Sequence, residues 1–304
     1  MMTTHVTDRD QTLEDADIGV APNRRTLLKA GAAAIALGGT GLGATIVRAQ
    51  ETTEATAEAS AAACVLSPEL TEGPYFLEGD LIRKDITEGT PGVPLRLKIA
   101  IQDATACTPL SNAAVDIWHC DAQGYYSGIS GENPGGGGEA TTDENLTTTF
   151  LRGIQLTDAD GVAEFETIYP GWYISRTVHI HMKVVVEGTA GEIYEGGHVS
   201  HTGQLFFDDA ISDQIYLTEA YGGRDDSQRT LNSADGILGD HADEPGFLLS
   251  LTPVTEGAIE DGFVGTITIG VDPTATPESV SAGGSGGEGG PPEGGPSGTP
   301  PDNG

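Results

Sequence analysis

The sequence predicts an all-β protein that folds as a two-sheet β-sandwich with little helix. Three observations lead to this prediction. Several segments alternate apolar and polar side chains with the period of two that half-buried strands require. Turn-forming residues separate these segments, and helical periodicity is scarce after residue 49.

The segments that alternate are, in chain order, Leu95–Ile101, Ala114–Trp118, Val162–Phe165, Val178–Val186 and Phe263–Val271. Only the stretch 210–221 suggests a helix, and it is short. The stretch 131–139, with its four consecutive glycines, predicts a long surface loop. It lacks the lysine and the following helix of a phosphate-binding loop, so we do not predict a phosphate site there.

The first 49 residues look like an export signal rather than part of the fold. Asn23–Lys29 contains two consecutive arginines and precedes the apolar run Ala30–Val47, which is typical of a twin-arginine signal. We predict cleavage after Ala49 and a mature protein in the cell envelope or outside the cell. An uncleaved membrane anchor is the alternative, because a run of 18 residues is barely long enough to span a bilayer.

Two further segments have too few large apolar side chains to offset the entropy of an ordered chain. Residues 50–63 are rich in Thr, Glu and Ala, and residues 274–304 are rich in Gly, Pro and Ser. We predict a disordered linker and a disordered tail. Residues 64–273 then remain as one domain with a core of ordinary size.

The charge of the chain restricts its partners. The formal net charge is −32 at pH 7, which opposes binding to nucleic acid or to an anionic membrane surface. We therefore predict no nucleic-acid partner and no membrane binding by the mature form. A high-salt habitat and an acidic extracellular surface both fit this composition.

Three cysteines, Cys64, Cys107 and Cys120, permit one disulfide in an exported protein and leave one thiol over. The sequence does not say which two pair. The chain has no C-x-x-C spacing, so we do not predict a cysteine metal ligand.

The strongest signal for function is a pair of histidines in a β-rich segment. His179 and His181 stand at positions i and i+2, which places both on one face of a strand, where they can bind one metal ion. Tyr173 lies shortly upstream, and Tyr126 follows an earlier strand. Imidazole combined with phenolate suits a hard ferric ion better than zinc or copper(I).

Three motifs then occur in order: A-x-G-x-Y-S at 122–127, P-x-x-Y at 170–173 and R-x-x-H-x-H at 176–181. Together they resemble the intradiol ring-cleavage dioxygenases, which are non-haem Fe(III) enzymes, and the order and spacing agree over roughly residues 66–270. The N-terminal helical dimerisation segment of catechol 1,2-dioxygenases has no counterpart, so the chain looks closer to the β subunit of protocatechuate 3,4-dioxygenase. The resemblance implies a β-sandwich with iron near one end and long loops that form the pocket.

The resemblance also implies the metal ligands. Tyr126, Tyr173, His179 and His181 would hold Fe(III) and leave a fifth position for hydroxide. Tyr173 would be the ligand that leaves the iron when the substrate binds. The implied reaction joins O₂ to a catechol-type aromatic diol, breaks the bond between the two hydroxylated carbons and yields a muconate-type diacid.

Four other residues receive roles from the resemblance. Arg176 would be the guanidinium beside the substrate, where it stabilises charge that develops during reaction, although an arginine paired with surface carboxylates is the plain alternative. Gln204 would orient the site by hydrogen bonding. Pro74 and Tyr75 would lie on the pocket wall and touch the substrate.

Several nearby residues compete for these roles. Alignment on Gly124 selects Tyr126 rather than its neighbour Tyr125, and the P-x-x-Y motif selects Tyr173 rather than Tyr169. We expect His119 to be structural. His198 and His201 could line the pocket or bond to a loop.

The leading prediction is an exported Fe(III) intradiol dioxygenase, and the alternative is a non-catalytic exported β-sandwich that binds a ligand. A zinc hydrolase is disfavoured, because no third ligand lies at a zincin-like spacing. The sequence does not identify the catechol, whose substituents would contact the loops 71–84 and 126–140. Homo-oligomerisation also stays open.

Overall fold

A computed structural model of the protein describes residues 65–79, 81–129 and 146–281. The predicted signal, the linker, Cys64, the glycine-rich loop 131–139 and the tail from residue 282 lie outside these ranges. Residues 274–281 are described and contain neither helix nor strand. No helix in the described ranges is long and apolar enough to cross a membrane.

One sheet contains five strands: β1 (Pro94–Asp103), β2 (Thr108–Pro109), β5 (Val162–Ile168), β8 (Ser250–Pro253) and β9 (Phe263–Val271). Their order is β2-β1-β9-β8, and β5 also pairs with β1. The β1–β9 pair is parallel, whereas β1 pairs antiparallel with β2 and β5.

A second sheet contains four strands: β3 (Ala114–Trp118), β4 (Arg152–Leu156), β6 (His179–Ala190) and β7 (Tyr194–Phe206). Their order is β4-β3-β6-β7, and every neighbouring pair is antiparallel. Two sheets and little helix confirm the predicted fold class.

The core fills the space between the sheets and fixes which face of β6 carries the histidines. Ile180, Met182 and Val184 are fully buried in the core. Because successive side chains of a strand point to opposite faces, His179 and His181 lie on the other face of the second sheet. They are nevertheless buried, so the loops that cover this face form the site.

The predicted helix at 210–221 is wrong in its extent. Helix α1 spans Asp209–Ile215 and is capped by the Asp208 carboxylate, which accepts a hydrogen bond from the Ala210 amide. The Thr218 hydroxyl donates to the Ile215 carbonyl at 2.7 Å, satisfying one of the carbonyls left open at the helix end. Short 3₁₀ turns follow at Glu219–Tyr221, Asp226–Gln228, Asn232–Ala234, Gly239–Asp243 and Ile259–Asp261.

The five alternating segments all contribute strands, but β2, β4, β7 and β8 were not predicted. Strand β7 has 13 residues, yet its first half includes Gly196 and Gly197, both with positive φ. Glycine weakens a strand signal, so the pattern of residues 194–206 did not stand out. The omission matters, because β7 carries Gln204.

Candidate metal centre

His179 and His181 open strand β6 and turn their Nε2 atoms toward each other. The two Nε2 atoms are 3.1 Å apart, and both side chains are almost fully buried. The Nδ1 atom of His179 lies 2.6 Å from the Thr177 carbonyl. A carbonyl can only accept, so Nδ1 carries the proton and Nε2 presents its lone pair.

His181 is held by contacts on its ring. The indole of Trp118, its cross-strand partner, stacks on the imidazole at 5.1 Å between centroids and 4° between planes. Gly73 approaches so closely that an added Cβ would lie 2.9 Å from His181 Cε1. The buried Nδ1 atom of His181 has no hydrogen-bond partner in the described part of the chain.

The two tyrosines complete the set of donor atoms. The Tyr173 hydroxyl lies 3.0 Å from His179 Nε2 and 3.5 Å from the Tyr126 hydroxyl. Tyr173 reaches this position because the chain turns at Ser175, which has a φ of 73°, and residues 173 and 176 then pair as an isolated bridge. Two imidazole nitrogens and two phenol oxygens therefore converge in a buried space.

Burial sets the protonation of this group. It lowers the pKa of His179 and His181 well below the ordinary value, and the Arg176 charge lowers both further. Both rings are therefore neutral at pH 7, as metal ligation requires. Burial also raises the pKa of Tyr126 and Tyr173. A cation of high charge would reverse this effect on the phenols.

These donors fit a ferric ion. Neutral imidazoles supply nitrogen lone pairs, and two phenolates would supply hard anionic oxygens that offset part of the 3+ charge. Within the described ranges, no three His, Cys, Asp or Glu side chains form a metal cluster. Tyrosines thus make up half of this donor set.

Arg176 lies at the side of the donor group and is bonded at two points. Its Nε donates to the Asp235 carboxylate at 2.9 Å, and its Nη2 donates to Gln204 Oε1 at 2.5 Å. The Gln204 amide nitrogen donates in turn to the Thr71 carbonyl at 2.8 Å. Gln204 is the cross-strand partner of His181, so these hydrogen bonds connect Arg176 to strand β7, the neighbour of β6.

The segment 71–76 lies against the donor group, with Gly73 beside His181 and Tyr75 beside Tyr126. Tyr75 stacks on Tyr126 at 4.5 Å between ring centroids, whereas Pro74 is exposed. Glu72 forms an ion pair with Lys183, whose ammonium also lies 3.4 Å from the centre of the Phe76 ring. Whether Pro74 and Tyr75 touch a substrate remains a prediction.

The competing residues lie elsewhere. Tyr169 is buried in the main core and bonds to Ser212, and Tyr125 is only partly buried. His119 bonds to the Cys120 carbonyl and to Thr167, a structural arrangement. His201 bonds to Glu69, and His198 lies beside Glu187.

The cysteines take no part in the donor group. Cys107 is disulfide-bonded, and Cys120 is a free, buried thiol. Cys64 lies outside the described ranges.

Sequence reasoning missed Trp118, Lys183 and Asp235. Trp118 and Lys183 could have been found from the sequence, because both lie in segments with the alternating pattern of strands. Lys183 is on the same strand as the two histidines, and Trp118 is on the neighbouring strand. Asp235 carried none, since 59 residues separate it from Arg176.

Comparisons with known proteins show which proteins this chain resembles. A family model described as Dioxygenase matches residues 67–208. The solved structure of an intradiol ring-cleavage dioxygenase from Tetranychus urticae is 30% identical, with a TM-score of 0.56, and the match covers 70% of this chain and 98% of that one.

Two curated relatives are more distant. A chlorocatechol 1,2-dioxygenase from Pseudomonas putida is 26% identical over 41% of this chain and 53% of its own length. Another from Rhodococcus opacus is 29% identical over 38% of this chain and 50% of its own length. The chain thus spans about half the length of the curated relatives it matches.

Proposed function

Because this chain belongs to the family of intradiol ring-cleavage dioxygenases, we propose that it cleaves a catechol-type aromatic diol with O₂. The cleaved bond joins the two hydroxylated carbons, and the product is a muconate-type diacid. Fe(III) would be held by Tyr126, Tyr173, His179 and His181. The observation that carries the proposal is the convergence of these four donor atoms beside Arg176.

Ferric iron would withdraw electron density from the bound diol and so prepare a ring carbon for O₂. The protein's own residues handle the protons. A catechol must lose two protons to bind through both oxygens; the Tyr173 phenolate is a suitable acceptor for one of them, and hydroxide would accept the other to form water. The Tyr173 hydroxyl is 3.0 Å from His179 Nε2, which places this acceptor inside the donor group; Tyr173 would be the residue that makes room for the diol.

Rigid rings surround the reacting region and exclude water. Tyr126 and Trp118 are fully buried, and Tyr75 and Trp118 stack on Tyr126 and His181 respectively. A dry surrounding strengthens each electrostatic interaction inside it.

Arg176 supplies the fixed positive charge. Its guanidinium lowers the pKa of Tyr173, although burial has the larger, opposite effect. The same charge would stabilise negative charge that moves from the diol oxygens into the ring during reaction. Because Asp235 and Gln204 hold the guanidinium in place, Arg176 needs little reorientation when negative charge develops on the substrate.

Colour and metal content test the proposal directly. Phenolate-to-iron charge transfer should make the purified, iron-loaded protein red to burgundy, with one iron per chain. His181→Ala should lose iron and colour together, whereas His198→Ala, which removes a histidine beside Glu187, should retain both. A colourless, iron-free wild-type protein would instead favour a non-catalytic binding module.

We also propose export through the twin-arginine route to the cell envelope or the exterior. The support is the pair Arg24 and Arg25 before the apolar run Ala30–Val47. A route for folded proteins suits a site that acquires its metal before transit. Replacing both arginines with lysine should retain the protein in the cytoplasm, and unchanged export would refute the proposal.

A further inference from the structure

Asp235 is the carboxylate that pairs with Arg176. Its side chain is fully buried, and its Oδ2 accepts from Arg176 Nε at 2.9 Å. We propose that Asp235 is a positioning residue, which sets the orientation of the Arg176 guanidinium for ring cleavage. The inference rests on the proposed function of this site.

The carboxylate of Asp235 is itself held by the backbone. Oδ2 also accepts from the Thr177 amide at 2.7 Å, and Oδ1 accepts from the amides of Ile237 and Leu238, both at 2.8 Å. Three backbone donors and one guanidinium donor thus use the capacity of an ionised carboxylate. The position of the anion is fixed by the chain, so it can act as a reference point for Arg176.

Asp235 is ionised at neutral pH. Burial alone would raise the pKa of its carboxyl, but the Arg176 charge and the backbone donors together hold that pKa below the ordinary value. A buried charge of this kind persists where it is paired and fully hydrogen-bonded. Here both conditions are met.

The second arm of Arg176 is fixed by Gln204. Since Nη2 can only donate, the group facing it at 2.5 Å must be the amide oxygen of Gln204. The amide nitrogen then points to the Thr71 carbonyl. Two bonded points on a planar guanidinium define its plane, and Nη1, which has no hydrogen-bond partner in the described part of the chain, is the amino group left for the substrate.

Asp235→Asn tests this role because it keeps the volume and removes the charge. An amide has one acceptor oxygen and one donor nitrogen, so in either orientation two of the four N–H groups would face a donor. Arg176 would lose its counter-charge and its fixed orientation. We expect kcat to fall about 10- to 100-fold, the range that a small misplacement of a catalytic group produces.

The other properties of the site should stay nearly constant. Iron content, visible absorbance and anaerobic binding of catechol should match the wild type in Asp235→Asn, because the four metal donors are unchanged. A variant that lost its iron would show that Asp235 acts on His179 through the Thr177 peptide, and would overturn the inference. Should Asp235→Asn fail to fold, Asp235→Glu keeps the charge, displaces it by one methylene and should show the same selective loss of kcat.

A double-mutant cycle separates positioning from general stability. If Asp235 acts through Arg176, the variant with Asp235→Asn and Arg176→Lys together should be no slower than Arg176→Lys alone. Losses that multiply would overturn the inference. Asp209→Asn is the control, since Asp209 pairs with Arg229 at 2.9 Å and its removal should lower thermal stability without lowering kcat.

Failure of this inference differs from failure of the proposed function. Wild-type protein that carries iron and cleaves no catechol would refute the function and, with it, the inference. Wild-type protein that cleaves catechol while Asp235→Asn retains full kcat would refute the inference alone.

Discussion

The indole ring of Trp118 lies almost parallel to the imidazole of His181, with 4° between the planes and 5.1 Å between the centroids. The two residues are direct cross-strand partners on β3 and β6. A stacked pair between neighbouring strands restricts the rotation of both rings. Trp118 therefore helps to keep Nε2 of His181 directed at His179, where a shared metal ion would bind.

The two tyrosines should respond differently to loss of their hydroxyls. Tyr173→Phe removes the predicted proton acceptor, so catechol should bind more slowly while much of the iron is retained. Tyr126→Phe removes a fully buried donor that Tyr75 covers, and it should mainly change the visible spectrum and the retention of iron. Stopped-flow absorbance under anaerobic conditions measures both effects.

Tyr169→Phe is the matched control for these variants. Its hydroxyl is also buried and bonds to Ser212 at 2.7 Å, but it lies in the main core. It should leave colour and catechol binding unchanged. Identical spectra and binding rates in Tyr173→Phe and Tyr126→Phe would refute the division of roles.

Arg176→Lys should retain iron and colour but lose turnover. Lysine keeps the positive charge, yet its ammonium cannot bond to Asp235 and Gln204 through the planar geometry that Arg176 uses. We expect kcat to fall by about one to three orders of magnitude. Arg229→Lys, at a buried arginine bonded to Asp209, controls for the general effect of the exchange, and wild-type turnover in Arg176→Lys would make that arginine a bystander.

Gly73→Ala should weaken iron binding. Residue 73 has a φ of 75°, and an added Cβ would lie 2.9 Å from His181 Cε1, so the imidazole would have to move. The positive φ alone costs alanine about 1 kcal/mol. Iron content and the midpoint of chelator-driven iron release measure the effect.

Gly79→Ala separates the effect of the positive φ from the effect of contact with His181. Residue 79 has a φ of 90°, but an added Cβ would meet nothing within 4 Å. This variant should show a comparable loss of stability and no change in iron binding. Equal iron binding in both variants would mean that contact with His181 is unimportant.

His119 should make the fold less stable in acid. Its pKa is lowered from 6.5 to about 4: burial is the largest cause, the hydrogen bond to the Cys120 carbonyl opposes it, and the Arg152 charge acts in the same direction as burial. Between these two values the unfolded chain binds a proton that the folded chain excludes. The free energy of unfolding should therefore fall as pH drops from about 6.5 to about 4, by roughly 3 kcal/mol in total.

Denaturant unfolding at pH 7 and pH 4.5 in wild type and in His119→Gln tests this contribution. Glutamine does not titrate, and the carboxylates common to both proteins cancel in the comparison. The variant should lose less stability between the two pH values. An equal loss would show that His119 does not contribute to the pH dependence.

Local patterns explain why much of the site could be predicted. The alternation of residues 178–186 places His179 and His181 on one face regardless of the rest of the fold, and Tyr173 lies close to them in sequence. Strand β3 pairs with β6, and the chain that follows β3 places the Tyr126 hydroxyl 3.5 Å from the Tyr173 hydroxyl. Iron ligation by these residues remains a prediction.

The parts that could not be predicted depend on contacts distant in sequence. Asp235 reaches Arg176 from a 3₁₀-rich segment that has no periodic pattern, and Gln204 stands on a strand whose glycines conceal it. Helix α1 was predicted too long because apolar residues continue past Ile215, where Tyr216 packs into the core instead of extending the helix. In each case tertiary packing decided what the local pattern left open.

Cleavage of catechol under ¹⁸O₂ by the iron-loaded protein tests the central claim most directly. Mass spectrometry of the product should show a cis,cis-muconate that carries two ¹⁸O atoms, because an intradiol dioxygenase places one oxygen atom on each of the separated carbons. His181→Ala, assayed in parallel, should give no product. A ring-opened aldehyde acid, a product without ¹⁸O, or no reaction with any catechol by a protein containing one iron per chain would contradict the account.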